Sequence, residues 1–256
     1  MHHIYIDQVL KEAPSAWHEL TAEQLIIWMK ICAKNITKEQ ALMFVSAAFI
    51  GLPKREYFRL NAAQQIQLAN EFRYLLGNRL YSWIIDKIKV SPFRKFQGPS
   101  DHLSTSTIEE FNAAEGYYYM YSKTRDERFL DQLIACLYRP VSAGWIWSKN
   151  NGKDPRKIFS EVDVNRHARK MRSLDKHLRA AILFNYEGCR SFITARYATV
   201  FIPGNGNAPE QLPDLRPLIK TVAGGKFGTY KDTEQTNLYV FLDHLKDEIE
   251  ESNRKK

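Results

Sequence analysis

The stretch from Thr107 to Pro140 constrains the fold more than any other part of this sequence. Ile108, Phe111, Ala114, Tyr118 and Tyr121 recur at helical spacing, and Phe129, Leu130, Leu133, Ile134 and Leu137 repeat the pattern after a short break. Ser106 stands three residues before Glu109, and Thr124 three before Glu127. This is the capping-box spacing, in which a hydroxyl and a carboxylate satisfy two backbone donors at a helix start. Pro140 ends the second helix, because it has no N–H to give to the preceding turn. The stretch therefore predicts an αα-hairpin with one apolar face, which further helices must cover.

The same start signal recurs upstream. Thr21 with Gln24, Thr37 with Gln40 and Asn61 with Gln64 each precede an apolar helical pattern, and Gly51 and Gly77 stand where the second and third patterns stop. Residues 1–20 read as a lead-in interrupted by Pro14. Residues 80–85 fit a short strand or a helical turn, and Pro92, Gly98 and Pro99 predict a loop. Trp145 and Trp147, next to the turn-forming Asn150-Asn151-Gly152, are expected to pack over the core. A long apolar helix follows Leu174, and a final helix from about Thr233 to Glu251 carries Leu238, Phe241, Leu242, Leu245 and Ile249 on one face. The expected fold is all-α (mainly α), a multi-helix globular bundle with αα-hairpins and little or no strand. Pro203, Pro209, Pro213 and Pro217, alternating with Gly204 and Gly206, mark a linker over 203–217. It separates a main helical domain (1–202) from a C-terminal helical segment (218–256).

Composition narrows the function classes. Hydrophobic residues make up 44% of the 256, which excludes a wholly disordered chain. Cys32, Cys136 and Cys189 are too few and too scattered for a disulfide framework, and each sits in an apolar helical context, so buried free thiols are expected. No signal-like leader is present at Met1–Tyr5, and the apolar runs fall short of the ~20 residues a membrane span needs. The expectation is a chain of the cytoplasm, with no membrane partner.

Tests for chemistry are negative. The histidines show no close zinc-ligand pairing apart from the adjacent His2 and His3. Gly224-Gly225-Lys226 lacks the upstream glycine and the following Ser or Thr of a phosphate loop, and Gly204-Asn205-Gly206 has Pro209 where a third glycine belongs. Gly188-Cys189-Arg190-Ser191 is no nucleophile elbow. Glu109, Glu110 and Glu115 suggest a carboxylate site, but Glu109 is expected to cap and the other two to lie on a solvated face. No catalytic residue, cofactor or metal is expected, and the chain is not read as an enzyme.

Two surfaces remain. The 153–179 stretch is basic in a chain of net charge +8, with Arg166, Arg169, Lys170, Arg172 and Lys176 as candidate phosphate or partner contacts; Arg166, Arg169 and Lys170 would share a helix face. The alternative is a solvated face. The apolar stripe Leu238, Phe241, Leu242 and Leu245 either binds a partner or docks on its own body.

Several phrases occur together: Gly98-Pro99-Ser100-Asp101, Ile108-Glu109-Glu110-Phe111, Leu137-Tyr138-Arg139-Pro140, Tyr186-Glu187-Gly188-Cys189-Arg190 and Lys226-Phe227-Gly228. In this order, over roughly residues 15–250, the sequence resembles an uncharacterised family of helical proteins encoded in phage and prophage structural gene modules, near tail genes. The resemblance implies a virion or tail structural or assembly protein. Such a protein would act by protein–protein contacts with other phage structural or tail proteins, in the host cytoplasm or associated with the virion. It carries over no catalytic residue. Homo-oligomer formation stays open. The alternative function is a nucleic-acid-binding helical protein using residues 153–179.

Overall fold

The computed structural model describes residues 1–6, 8–77, 80–142, 154–201 and 215–255. It is mainly α-helical, 60% helix, with eleven α-helices and two antiparallel two-stranded sheets among the described residues. The chain divides into two compact units. One comprises Met1–Ile85 with Asp175–Gly188, and the other Asp86–Leu174 with Cys189–Lys256. Residues 218–255 belong to the second of these. The linker expected at 203–217 falls mostly outside the described residues, as do Trp145, Trp147 and the turn at 150–152.

The first unit opens with a β-hairpin, β1 (His2–Ile6) and β2 (Val9–Ala13), paired from His2↔Ala13 to Ile6↔Val9. The fold is therefore not strand-free. Ile4 and Ile6 alternate with the more exposed His3 and Tyr5, the period-2 pattern of a half-buried strand that the lead-in reading passed over. Helices α1 (Ala22–Cys32), α2 (Lys38–Ile50) and α4 (Ala62–Asn70) begin at Thr21, Thr37 and Asn61, each with both hydrogen bonds of the capping box. Gly51 closes α2 in the left-handed region at φ 69°, where a side chain is disfavoured. The single turn α3 (Lys54–Tyr57) follows. Leu25, Trp28, Leu42, Val45, Phe49 and Phe72 are buried in this unit's core.

Residues 80–85 form neither a strand nor a helical turn. They run without a ladder partner along the first part of a long helix, numbered α8 below (Lys176–Arg196). The Asn185 amide donates to Ser82 O (2.5 Å) and accepts from the Ile84 N–H (3.0 Å). One helical turn on, a Cβ at Gly188 would stand 1.5 Å from the Leu80 carbonyl oxygen, so only glycine lets the two backbones approach this closely.

The second unit begins with a hairpin where a loop was expected, β3 (Lys87–Ser91) and β4 (Arg94–Gln97). Pro92 falls in its two-residue turn, where a missing N–H costs no ladder bond. The αα-hairpin is present as α5 (Ile108–Thr124) and α6 (Glu127–Leu137), and Ile108, Phe111, Ala114, Leu130, Leu133, Ile134 and Leu137 are all buried. Its caps differ from the expected ones. Thr107, not Ser106, accepts from Glu110 N, because Ser106 O and Ile108 N are bonded to Leu238 N and Thr236 O and hold the chain extended through Thr107. Asp126, not Thr124, caps α6, and the Thr124 hydroxyl bonds back to Met120 O inside α5. Helix α7 (Glu161–Met171), the end of α8, α9 (Arg216–Val222), α10 (Tyr230–Glu234) and α11 (Leu238–Arg254) complete the unit. No helix among the described residues is long and apolar enough to cross a membrane.

Candidate functional site

Glu110 and Glu115 are not solvated; their side chains are each 1% exposed. Both sit beside the apolar positions of α5, with Glu110 one turn from Ala114 and Phe111 one turn from Glu115, so packing that stripe drags both carboxylates inward. Glu115 is met by Arg190, whose Nε donates to both oxygens at 2.7 and 2.8 Å. The Arg190 guanidinium also lies 5.3 Å from the Tyr118 ring centroid.

Glu110 is the centre of a buried charge cluster. Arg156, whose side chain is 0% exposed, donates to its two oxygens at 2.6 and 3.1 Å, and Arg139 reaches Oε2 at 3.1 Å. Asp154 supplies the second carboxylate and accepts from Arg156 at 2.8 and 3.0 Å. The local backbone explains the placement. Gln97 and Arg139 exchange N–H···O bonds at 2.9 and 3.0 Å, and Val141 bridges Arg156, so both arginines leave short extended segments that face the helix pair. The guanidiniums also cap the end of α6, with Arg156 donating to Leu137 O (2.8 Å) and Arg139 to Cys136 O (3.3 Å). Two cations and two anions balance here, and fixed hydrogen bonds occupy the Glu110 oxygens. The cluster clamps α5, α6 and the short stretches that carry Arg139, Asp154 and Arg156 together, and its described carboxylates are held by arginine hydrogen bonds.

Nearby, burial raises the Glu109 carboxyl above its ordinary range, and the charges of Glu234 and Glu161 add to the effect. Cys136 and Cys189 are buried thiols, both pushed up by burial, Cys189 to about 12, where a thiol is inert at neutral pH. Cys32 is exposed, contrary to the sequence expectation: its spacing from Leu25 and Trp28 keeps it in their stripe, but it is the last residue of α1, where the helix ends. Among the described residues, no group of three or more His, Cys, Asp or Glu side chains is placed to hold a metal ion.

The basic residues singled out in the sequence fall in two places. Arg166 and Arg169 are exposed on α7, Lys170 is half-buried there, and Arg172 is exposed at its end; Lys176 is exposed in the other unit. Arg166 pairs with Asp163 at 3.3 Å. The apolar stripe of the last helix is core. Leu238, Phe241 and Leu242 are fully buried, Leu245 is 6% exposed, and the Phe227 ring stands 6.0 Å from Phe241. Polar bonds add to this packing, among them 2.7 Å bonds from the Tyr197 hydroxyl to Asp243 and from the Tyr239 hydroxyl to the His102 carbonyl oxygen. The helix thus docks on its own unit, and these four side chains present no free face.

A feature that the sequence reading missed lies in the first unit. Helix α2 is apolar on two sides. Ala41, Leu42, Val45 and Phe49 face the core, while Met43, Phe44, Ala47 and Ala48 line an outer groove of about 660 Å³ with Tyr57 and Phe58. Phe44 is 45% exposed and Phe58 68%. The sequence signal is the near-continuous apolar run from Ala41 to Ile50, which marks a helix without showing that it is apolar on a second side.

Searches of protein-family models, curated proteins and solved structures give no match to this chain. The class rests on fold and surfaces alone: a mainly helical protein of two units, braced by buried ion pairs and carrying an uncovered apolar groove.

Proposed function

We propose that this chain is a structural or assembly protein of the phage virion or tail, acting through protein–protein contacts in the host cytoplasm or in association with the particle. The observation that carries this reading is the second apolar face of α2. A helix that is apolar all round belongs in a core, yet Phe44 and Phe58 remain open to solvent. Large exposed apolar patches on folded proteins mark partner sites.

The occupant is an amphipathic helix of a neighbouring structural protein, with acidic residues along its edge. Its apolar side matches the groove in the helix-in-groove mode. Its acids match Lys54, which lines the groove, and Lys34, whose ammonium lies 5.1 Å from the Phe44 ring centroid. Virion assembly needs such surfaces and no catalytic centre, and this agrees with what the sequence resemblance implies.

Co-expression with the products of adjacent structural genes, nuclease treatment and size-exclusion chromatography test the reading. The expected result is a complex that survives nuclease and moderate salt and is lost in Phe44→Asp/Phe58→Asp, a variant whose thermal unfolding matches the native chain. Separate elution from every neighbour, with normal particles when the gene is deleted, overturns it.

A further inference from the structure

The β3–β4 hairpin carries an electrostatic cost that its own fold does not relieve. Ile88 and Phe96 face each other across the strands and are buried, 2% and 3% exposed. The residues of the opposite face are therefore pushed outward. There Lys89 is paired directly with Lys95, with Lys87 two residues back on the same strand; Arg94 stands beside the turn, next to Lys95 in the strand, and all four are exposed. Like charges directly opposite each other weaken a strand pair. Among the described residues, none of these four cations makes an ion pair. At the tip Pro92 and Phe93 form the turn, and Phe93 is 98% exposed, the most exposed large apolar side chain among the described residues.

Helix α7 extends this surface. The His167 ring packs edge-on against Phe96 with centroids 4.9 Å apart, which fixes the helix beside the hairpin. Arg166 and Arg169 are exposed on that helix and Lys170 is half-buried. Besides partial burial, Lys170, Arg166 and Lys157 lower the His167 pKa, as expected where several cations gather around one ring. Three acids lie on the same elements: Asp86 at the hairpin base, and Glu161 and Asp163 in the first turn of α7, with Asp163 held by Arg166.

We propose that the hairpin and α7 form a binding surface for single-stranded nucleic acid, in which Lys87, Lys89, Arg94 and Lys95 neutralise successive phosphates and Phe93 stacks on an unpaired base. A cationic track with a projecting aromatic is the combination that holds single strands without base-specific contacts. An anionic lipid surface would also meet the charge. However, interfacial anchoring scales with the apolar area inserted, and here one ring projects alone. The surface is independent of the groove on α2, and the two are tested by different substitutions.

Fluorescence anisotropy with a labelled oligo-dT tests the proposal, alongside a duplex of mixed sequence and phosphatidylserine vesicles. Phe93→Ala is expected to weaken oligo-dT binding by roughly 5- to 100-fold, the range of one lost aromatic–base stack. Lys89→Ala/Arg94→Ala/Lys95→Ala is expected to flatten the log–log salt slope by about 2, since three fewer counterions are released from a single strand. The triple variant should melt at or above the native temperature, because a repulsive cross-strand pair is gone. Lys38→Ala/Arg55→Ala/Arg59→Ala, the same charge change at exposed positions of the other unit outside the α2 groove, should leave the affinity near native. Any of four results overturns the proposal: no oligo-dT binding at low salt, native affinity in Phe93→Ala, equal losses in both triple variants, or vesicle or duplex binding at least as tight as oligo-dT binding.

Discussion

Removing the charge of Glu110 tests whether the buried cluster holds the second unit together. Glu110→Gln keeps the shape and opens no cavity, but leaves Arg156, with no exposed side-chain surface, and Arg139, 7% exposed, facing Asp154 alone. At an effective dielectric near 20, a charge pair at ~4 Å is worth about 4 kcal/mol, so Glu110 supplies roughly twice that against its two arginines. Several kcal/mol per ion of desolvation offset most of this in the intact cluster. Once the carboxylate is gone the arginines remain desolvated, and the net loss is about 3–5 kcal/mol. For a chain of this size that lowers the melting temperature by roughly 6–20 °C. Urea unfolding followed by helical circular dichroism, with calorimetry to resolve the two units, measures it. Glu110→Met/Arg156→Met removes one charge of each sign and should cost less than Glu110→Gln alone. A Glu110→Gln change below ~1 kcal/mol, or a double variant as costly as the sum of the singles, would refute the reasoning.

Three further outcomes are expected. Gly188→Ala forces a methyl into the Leu80 carbonyl and should cost about 3 kcal/mol or more, whereas Gly116→Ala, with nothing within 4 Å of the new Cβ, should be neutral or stabilising; equal effects in urea melts would remove the close-approach argument. Leu133→Ala at a fully buried site of the αα-hairpin should lose about 2–5 kcal/mol, and a loss within ~0.5 kcal/mol would mean that the site is not core. The Glu109 carboxyl is raised in the folded chain, so the folded state holds that proton more tightly than the unfolded one, and the group's contribution falls as pH rises from the ordinary carboxylate range through the raised value. Glu109→Gln should therefore raise the melting temperature at pH 7 but not at pH 4; equal shifts at the two pH values would refute this.

The parts of the fold set by local chemistry could be read from the sequence. The Thr21, Thr37 and Asn61 boxes and the turn at Gly51 depend on residues within one helical turn of each other, and all four are present. The αα-hairpin was equally legible, because its apolar spacing is one periodic signal over thirty residues. Only tertiary structure decided what depends on distant partners. Glu110 looked like any exposed helical acid, because the arginine that buries it stands 46 residues away. Ser106 met the sequence rule for a cap, and lost the role to Thr107 through backbone bonds to Thr236 and Leu238. Residues 80–85 have no regular partner and take their course from Asn185 and Gly188, a hundred residues on. The apolar stripe of α11 and the outer face of α2 were alike as sequence, since periodicity records that a face is apolar and not whether the fold covers it. The first is core and the second is open, and that difference moved the candidate partner site from the last helix to the groove beside Phe44 and Phe58.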